Sequence, residues 1–434
     1  MSSKHFINDP THLVNSALRS LTLTNPNVAL DAGSKIVHRR PNLDSSHVPA
    51  QVSLISGGGS GHEPSFAGMV GPGMLSAAVA GTIFASPSAE QVRVAITSRV
   101  DTSKGVLVVV MNYTGDVLNF GMAVEKAKAS GLQVEMVVVG DDVGVGRRKA
   151  GKVGRRGIAG TVLVLKLAGA LAARGRRLDE VARVARLASE NLVSVGASLA
   201  HVHVPGRTVD DDDDKEALSR DQVEIGMGIH NEPGSARATL HLPQLVTSML
   251  AQLLDPNDPD RAFLSLTSSD EIVLLINNLG GVSVLEMGAI TTEVVSQLRS
   301  TWAIRPVRIL TGTFMTSLNG LGFSISLLNV VDTNLEGGGP SMIELLDATA
   351  EVNGWSAPIT KRTWEEARER SSSADMEEGC AFESQQHQHQ HQRDVASSGL
   401  TMDAETATRR LTMALEGVVA AEPDITRFDT VVGD

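Results

Sequence analysis

The stretch Val-Ser-Leu-Ile-Ser-Gly-Gly-Gly-Ser-Gly-His-Glu-Pro, residues 52–64, decides the fold class of this chain. Its first four residues form a near-continuous apolar run that predicts a buried strand. The glycines that follow let the backbone approach a small ligand closely, and Pro64 ends the regular structure before it. Open α/β sheets bind ligands at the carboxyl ends of their strands. The stretch therefore predicts an α/β fold with a ligand loop around His62, although a tight strand-to-helix turn has the same pattern.

A second stretch, Gly-Met-Gly-Ile-His-Asn-Glu-Pro-Gly at residues 226–234, repeats this combination of histidine, glutamate and proline among glycines. An imidazole whose protonation is controlled by its neighbours acts as a nucleophile or a general base near neutral pH, so His230 is a candidate for either role. A metal held by His62 and His230 is conceivable, but no ligand pair at helical or finger spacing supports one. Two such loops predict a cleft for a small polar ligand.

The composition excludes several classes of function. Aromatic residues make up only 3% of the 434 residues, which disfavours a surface that stacks nucleic-acid bases. The net charge of -12 provides no basic excess for binding a phosphate backbone. The single cysteine, Cys380, excludes an intrachain disulfide and fits a reducing compartment. Without a signal-peptide core or an apolar stretch long enough to span a bilayer, the chain is expected to be soluble and cytoplasmic, with no nucleic-acid or membrane partner.

Apolar runs alternate with glycine-bearing loops and helical stretches through most of the chain, which is typical of an α/β layout. The length exceeds that of one core, so we expect a first lobe over residues 1–186 and a second over residues 187–348. Strands are predicted at residues 52–55, 106–111, 134–139, 200–204, 272–276 and 307–310, and helices at residues 160–175 and 242–254.

The composition changes after about residue 348. Residues 368–399 are rich in Ser, Glu, Gln and His and cannot bury enough apolar surface to offset their ordering entropy, so we predict a flexible linker over residues 349–400. Helical periodicity then returns, and Asp429 and Asp434 bracket a glycine as at the start of a metal-phosphate loop. Residues 401–434 are therefore expected to be the truncated start of a helical domain.

Three polar segments are interpreted as solvated. The five aspartates at residues 210–214 repel one another and predict a surface loop. The basic stretch at residues 147–156 is interleaved with glycine and predicts a solvated loop, with an anion site as the alternative. The Gln-His repeat at residues 386–392 is interpreted as a spacer, although its histidines are also able to chelate a metal.

The sequence Asn-Tyr-Thr-Gly-Asp at residues 112–116 directly follows the predicted strand 106–111. A carboxylate just past a strand end is well placed to act as a general base on a substrate hydroxyl, which makes Asp116 a candidate catalytic residue. A turn aspartate that satisfies its own backbone gives the same pattern. Two further strand-end loops, residues 277–281 and 312–317, either line a site or stabilise an interface.

Together these segments resemble the dihydroxyacetone (glycerone) kinase family. The resemblance covers nearly all of the chain up to about residue 345 and is carried, in order, by residues 57–64, 112–120, 154–161, 226–234, 277–281 and 312–324. It implies a two-lobed α/β dihydroxyacetone-binding domain, followed by a linker and an incomplete all-α segment. Because this domain usually dimerises in the family, the resemblance also implies a homodimer.

The resemblance implies a role for each loop. His230 matches the histidine that adds to the carbonyl carbon of dihydroxyacetone and forms a covalent hemiaminal, and His62 matches the histidine that hydrogen-bonds the bound triose. Gly59 and Ser60 lie in the loop that cradles the triose. Asp116 matches the carboxylate that activates the terminal hydroxyl for attack on a phosphoryl group.

The end of the chain resembles the opening of the family's nucleotide-binding domain, in which an aspartate loop holds magnesium on the phosphates of ATP. Asp429 and Asp434 match the first two of these aspartates. Fusion of both domains in one chain is characteristic of family members that use ATP. The expected function is therefore an ATP-dependent dihydroxyacetone kinase, with ATP and Mg as cofactors and glyceraldehyde as a further candidate substrate.

Two alternatives and one departure stand beside this expectation. A non-catalytic dihydroxyacetone sensor or regulatory subunit would use the same binding domain, and the cleavage of FAD to cyclic FMN would depend on the nucleotide-binding domain. Met111 stands where the family usually has a lysine near the substrate. A thioether cannot neutralise developing charge as a cation does, so this difference bears on affinity or turnover.

Overall fold

The computed structural model describes residues 5–40, 50–206, 218–219, 221–267, 269–335 and 338–374. The chain divides into two units, residues 1–361 and 362–434. Within the described part of the first unit, helices pack against two six-stranded sheets, which confirms the predicted α/β class.

The first sheet is built around the strand that leads into the first glycine loop. Its strands are β1 (Val28–Asp31), β2 (Ile36–Arg39), β3 (Ser53–Ser60), β4 (Ala77–Ile83), β5 (Val106–Met111) and β6 (Val134–Val139). They lie in the order β1-β2-β4-β3-β5-β6. Strands β4, β3, β5 and β6 are parallel, and β1 and β2 extend the sheet in antiparallel fashion. Since β3 and β5 are parallel neighbours, the loops that follow them lie at the same edge of the sheet.

The second sheet is mostly antiparallel. Its strands are β7 (Leu192–Ser198), β8 (Val223–Ile225), β9 (Ala236–Ala238), β10 (Glu271–Asn278), β11 (Arg308–Gly312) and β12 (Gly322–Val330). They lie in the order β11-β10-β12-β7-β8-β9, with only β10 and β11 parallel. The second glycine loop, residues 226–234, connects the short strands β8 and β9.

Helices fill three layers around and between the two sheets. They are α1 (Leu13–Thr24), α2 (Ala89–Ser98), α3 (Thr114–Ala129), α4 (Arg147–Ala150), α5 (Thr161–Ala173), α6 (Leu178–Glu190), α7 (Leu242–Leu254), α8 (Val284–Trp302) and α9 (Met342–Leu346). Helix α10 (Lys361–Ala374) belongs almost entirely to the second unit. One core cluster packs α2 and α3 on the outer face of the first sheet. A second packs α7 and α8 on the outer face of the second sheet. The largest cluster joins the inner faces of both sheets through α5 and α6.

The central helix α5 shows why the lobes are not independent. Twelve of its thirteen residues are buried, and its sequence is apolar all round, as expected for a helix enclosed on every side. Its one charged side chain, Lys166, donates a hydrogen bond of 2.8 Å to the carbonyl oxygen of Leu345. The two sheets therefore share one core and hold their loops in a fixed relation.

Most of the predicted elements are confirmed. Strands 106–111 and 134–139 and helix 242–254 agree with β5, β6 and α7 to the residue, and strand 272–276 lies within β10. The strand predicted at residues 200–204 is wrong, because that segment has no regular structure and the strand of this region is β7. Its sequence, His-Val-His-Val after Ala200, alternates polar and apolar residues and so imitates a strand.

Two expected boundaries fall within ordered segments. The predicted lobe boundary after residue 186 lies inside α6, and the change of sheet comes a few residues later, at β7. The predicted linker begins too early, since Val352 and Trp355 still pack against the core and Glu351 N donates to Pro72 O at 3.0 Å. Helix α10 occupies a further part of that range. The remainder of the predicted linker and residues 401–434 lie outside the described residues.

Candidate functional site

The first glycine loop buries its histidine. The chain leaves β3 at Ser60, and the His62 side chain that follows is 1% exposed. Its Nδ1 lies 2.8 Å from the carbonyl oxygen of Thr316, on the other lobe. A carbonyl oxygen only accepts hydrogen bonds, so Nδ1 carries the hydrogen and Nε2 presents a lone pair. Burial, and then the charge of His230, lower the pKa of His62 to about 3, so this imidazole is neutral.

The second glycine loop holds its histidine with a carboxylate. Nδ1 of His230 lies 3.0 Å from Oε1 of Glu232, and the backbone N–H of His230 donates to Oε2 of the same carboxylate at 3.0 Å. Burial opposes ionisation of Glu232, but these hydrogen bonds and the charge of His230 outweigh it and lower its pKa to about 2. The side chain of His230 is 21% exposed, so it is open to a small ligand while its ring stays fixed.

The two imidazoles meet across the lobes. Nε2 of His62 lies 2.9 Å from Nε2 of His230, although 168 positions separate them in the chain. Phe84 stacks on His62 with ring centroids 5.2 Å apart, and the edge contacts of Phe84 and Tyr113 with His230 are 5.0 and 4.8 Å between centroids. The structure thus brings together the two histidines predicted to share a cleft and walls them with aromatic rings.

A third loop, residues 312–318, ties the two histidine loops together. Thr316 Oγ1 donates to the carbonyl oxygen of Glu63 at 2.8 Å, and Leu318 N donates to Gly61 O at 2.7 Å. Ser317 Oγ donates to the carbonyl oxygen of Ile229, next to His230. Thr316 and Ser317, which sequence reasoning left without a role, therefore clamp both loops.

Asn277 at the end of β10 fixes the shape of this third loop. Its Oδ1 accepts hydrogen bonds from the backbone N–H groups of Phe314 and Met315 at 2.9 Å each. Its Nδ2 donates to the carbonyl oxygen of Met315 at 2.7 Å. The buried amide of Asn277 thus supplies the hydrogen bonds that a neighbouring strand would otherwise provide to the backbone of this loop.

Asp116 lies against the first glycine loop, in the first turn of α3. A Cβ atom added to Gly58 would lie 3.6 Å from Asp116 Oδ2, so the carboxylate lies close to the backbone of the loop. Burial raises the pKa of Asp116 to about 6, against the hydrogen bond from Ser86 and the charge of His230. Its Oδ1 is buried and has no hydrogen-bond partner in the described structure. A buried carboxylate oxygen without a donor suits a substrate hydroxyl.

The two other predicted binding residues serve the loop itself. Gly59 packs where an added Cβ would lie 2.7 Å from the backbone nitrogen of Ala85, so only glycine fits. Ser60 Oγ donates to the carbonyl oxygen of Gly81 at 3.0 Å, which ties the end of β3 to β4. Their contact with a ligand stays a prediction.

Arg156 is a site residue that the sequence analysis placed in a solvated loop. It pairs with buried Asp142 at 2.7 Å and donates to the carbonyl oxygen of Gly226 at 2.8 Å. A side chain at Gly228 would collide with both Arg156 and Glu232, which shows how closely these two groups approach. Arg156 thus stabilises the second glycine loop through its hydrogen bond to Gly226 O.

The rest of the basic stretch divides between surface and packing. Residues 147–149 and 152 are exposed, as predicted. Arg155 differs, because it is half-buried. It shares the ring of Phe263 with the exposed Arg147, and each guanidinium carbon lies 4.2 Å from the ring centroid, within the range of a cation–π contact.

Met111 ends β5 with its side chain in the apolar core. Met111 is 2% exposed, and a Cβ atom added to Gly157 would lie 2.7 Å from the Cβ atom of Met111. The thioether therefore fills space between the end of β5 and the segment that leads into α5. It adds no charge to the site.

The metal prediction falls outside the described residues, as do the five aspartates at residues 210–214 and the Gln-His repeat. Asp429 and Asp434 belong to residues 375–434, which the structure leaves undescribed. Among the residues it does describe, no group of three or more His, Cys, Asp or Glu side chains is able to hold a metal ion. Within the same residues, no helix is both long and apolar enough to cross a membrane.

Comparison with known proteins identifies the family of the chain. The Dak1 domain matches residues 19–354. The whole chain aligns with the dihydroxyacetone kinase of Komagataella pastoris at 43% identity and covers 69% of that protein. The solved dihydroxyacetone kinase from C. freundii in complex with AMP-PNP and Mg2+ matches with a TM-score of 0.70 and 38% identity, over 83% of this chain and 62% of that one. The chain thus spans less than two thirds of that kinase.

A further solved relative is a dihydroxyacetone kinase operon co-activator, Dha-DhaQ, with a TM-score of 0.66 and 28% identity over 78% of this chain and 96% of that one. The shared fold and the named relatives place the chain in the glycerone kinase class of enzymes. Within that class it belongs to the dihydroxyacetone kinase family.

Proposed function

We propose that the chain provides the substrate domain of an ATP-dependent dihydroxyacetone kinase, in which the triose is held as a covalent hemiaminal on His230. The observation that carries this proposal is the pair of facing Nε2 atoms, 2.9 Å apart, with the Nδ1 of His230 anchored on Glu232. Anchoring Nδ1 leaves Nε2 as the nitrogen that is able to attack a carbonyl carbon.

In this proposal each side chain has one task. His230 forms the bond to the carbonyl carbon, and His62 hydrogen-bonds the oxygen of the captured triose. Asp116 accepts the proton of the terminal hydroxyl as that oxygen attacks the phosphoryl group. Covalent capture replaces a bimolecular encounter by a positioned one, and positioning supplies much of the catalysis in phosphoryl transfer.

The covalent bond also sets the substrate class. A nitrogen nucleophile requires a carbonyl carbon, so dihydroxyacetone and glyceraldehyde qualify and glycerol does not. The phosphoryl donor is ATP with Mg, which supplies electrophilic phosphorus and charge neutralisation. We place its aspartate ligands, Asp429 and Asp434, in the segment after residue 400. A homodimer in the cytoplasm completes the proposal.

A non-catalytic dihydroxyacetone sensor is the second candidate, because the operon co-activator shares the fold over 96% of its own length. The two functions differ in their need for Asp116. A sensor requires capture alone, whereas a kinase also requires a base for the terminal hydroxyl. The buried Oδ1 of Asp116, without a hydrogen-bond partner in the described structure, favours the kinase.

Native mass spectrometry of the chain with dihydroxyacetone tests the capture step. We expect one added triose per chain on the parent protein and none on the His230→Ala variant, with glycerol giving no adduct on either. An adduct that survives in His230→Ala would contradict the assignment of the nucleophile. Capture without any ATP-dependent phosphorylation by the full-length protein would support the sensor instead.

A further inference from the structure

The contacts of the four ring nitrogens of His62 and His230 determine which of these nitrogens carry a hydrogen. Nδ1 of His62 faces the carbonyl oxygen of Thr316, and Nδ1 of His230 faces the carboxylate of Glu232. Neither oxygen has a hydrogen to donate, because the carbonyl has none and Glu232 is ionised by its lowered pKa. Both Nδ1 atoms therefore carry a hydrogen.

The two Nε2 atoms then face each other at 2.9 Å, which is hydrogen-bond distance. Two neutral rings with Nδ1–H would bring two lone pairs together there, and lone pairs at this distance repel. One hydrogen between them converts the contact into a charge-assisted hydrogen bond. The ring of His230 lies against the carboxylate of Glu232, whereas His62 faces a neutral carbonyl, so the positive charge is balanced at His230.

We propose that Glu232, His230 and His62 form a proton store, in which the proton between the two Nε2 atoms moves to the carbonyl oxygen of the triose when His230 captures it. This proposal rests on the hemiaminal function above. It makes Glu232 a positioning residue, which fixes the tautomer of His230 and balances its charge.

The step balances without solvent. The shared proton moves to His62 Nε2, and the freed lone pair of His230 Nε2 forms the bond to the carbonyl carbon. The π pair of the C=O bond moves to the oxygen, which takes the proton from His62 Nε2 and becomes a hydroxyl. His230 stays cationic, now through its N–C bond and its Nδ1–H. The charges of His62 and Glu232 are the same before and after, so capture neither takes up nor releases a proton.

The surroundings of His230 support a fixed charge balance. Its titratable neighbours among the described residues are His62, Tyr113, Asp116 and Glu232. Arg156 lies beyond Glu232 and is itself paired with Asp142. The charges of Arg156 and Glu232 attract each other, which agrees with the ionised carboxylate that the store needs.

Calorimetry of dihydroxyacetone binding in two buffers with different ionisation enthalpies, at about pH 7.5, measures the protons exchanged. We expect none per adduct in the parent protein. In His62→Gln the store is lost, so we expect uptake of about one proton per adduct. Asp116→Asn should give the parent value, which excludes titration of Asp116 as the source. Uptake of one proton by the parent would overturn the proton store, whereas absence of the mass-spectrometric adduct would overturn the hemiaminal function.

Glu232→Gln tests the positioning role. The amide keeps the shape but loses the charge, so we expect dihydroxyacetone affinity to fall on the order of tenfold or more, because the tautomer is no longer fixed. We also expect proton uptake on capture to rise from zero towards one. Glu232→Asp should recover part of both properties.

Glu63→Gln is the matched control, since the carboxylate of Glu63 accepts from the backbone N–H of Gly61, whereas His62 Nδ1 bonds to Thr316 O. Nitrogen-15 spectra of the imidazoles should show His230 Nδ1–H retained in Glu63→Gln and altered in Glu232→Gln. An unaltered His230 tautomer and proton count in Glu232→Gln would contradict the role of Glu232.

Discussion

The two glycine-rich histidine loops look alike in sequence and differ in what holds each imidazole. In the first loop, Nδ1 of His62 bonds to a neutral backbone carbonyl, and its ring is fully enclosed. In the second, Nδ1 of His230 bonds to a carboxylate, and the ring is partly open. A neutral acceptor in a buried place keeps an imidazole neutral, whereas a carboxylate supports a cationic ring.

The position of the glutamate produces this difference. Glu63 directly follows its histidine and folds back onto the backbone N–H of Gly61. Glu232 lies two residues after its histidine, and the intervening Asn231 adopts a left-handed conformation with φ 64°. That turn carries the carboxylate back to Nδ1 of His230. One inserted residue therefore separates an imidazole that faces a backbone carbonyl from one that faces a carboxylate.

Replacing His230 with Asn is expected to have the largest effect. The carboxamide lacks a nucleophilic nitrogen, so the triose adduct should disappear and kcat/KM of the full-length kinase should fall on the order of ten-thousandfold. Mass spectrometry of the adduct and steady-state kinetics measure the two quantities. If both histidine loops were equivalent, the matched variant His62→Asn would lose its adduct equally, and the assigned division of roles would fail.

Asp116→Asn separates capture from phosphoryl transfer. We expect kcat to fall about a thousandfold because the terminal hydroxyl loses its base, while the adduct persists because both histidine loops are intact. The readouts are kcat with saturating triose and the adduct by mass spectrometry. Loss of the adduct together with kcat would show that Asp116 serves the histidine pair and not the hydroxyl.

The pH dependence of kcat/KM gives a second test of the role of Asp116 in phosphoryl transfer. The pKa of Asp116 is raised to about 6 by burial, so the carboxyl is protonated and inactive as a base below that pH. Log kcat/KM should therefore rise with a slope of about one up to about pH 6 and level off above it. The residual kcat/KM of Asp116→Asn should lack this limb. A limb that remained in kcat/KM of the variant would assign the titration to another group.

His62→Asn is expected to have a smaller effect than either loss. The amide still offers a hydrogen bond to the oxygen of the triose, but the enclosed stack with Phe84 is lost. We expect dihydroxyacetone affinity to fall roughly tenfold, about the value of one hydrogen bond, with the adduct still visible at high triose concentration. Unchanged affinity would mean that His62 does not contact the ligand.

The sequence alone predicted the α/β fold class and the positions of strands β5 and β6. It also singled out three polar residues as candidates for the site: His62, Asp116 and His230. Apolar runs and glycine loops mark these features locally, so a reader of the sequence finds them. The geometry brings the two histidines together, but the tautomers depend on partners far away in the chain. Nothing near His62 in sequence indicates that its Nδ1 bonds to Thr316, 254 positions later.

Other site residues lacked any local signal. Phe84 stacks on His62 from the end of β4, and Arg156 reaches the second loop from a stretch that reads as solvated. Tyr113 was visible within residues 112–116, but its buried hydroxyl and its contact with His230 emerge only from packing. The strand predicted at residues 200–204 was wrong because of a misleading local signal. Alternation of polar and apolar residues is visible in the local sequence, whereas pairing with a neighbouring strand, which decides whether a strand forms, depends on distant residues.

The smallest expected effect tests the loop that joins the two histidines. Ser317→Ala removes the hydroxyl that bonds Ile229 O, and Thr316→Val removes the one that bonds Glu63 O. The first leaves a buried carbonyl without that donor and the second a partly buried one, so each should lower the free energy of unfolding by about 1–3 kcal/mol in chemical denaturation. Because Ser317 supports the loop of His230, its loss should also weaken triose capture a few-fold, whereas Thr316→Val should affect capture less at equal destabilisation. Equal losses of capture would show that the third loop acts on the cleft as a whole, and that the two histidine loops are not held independently.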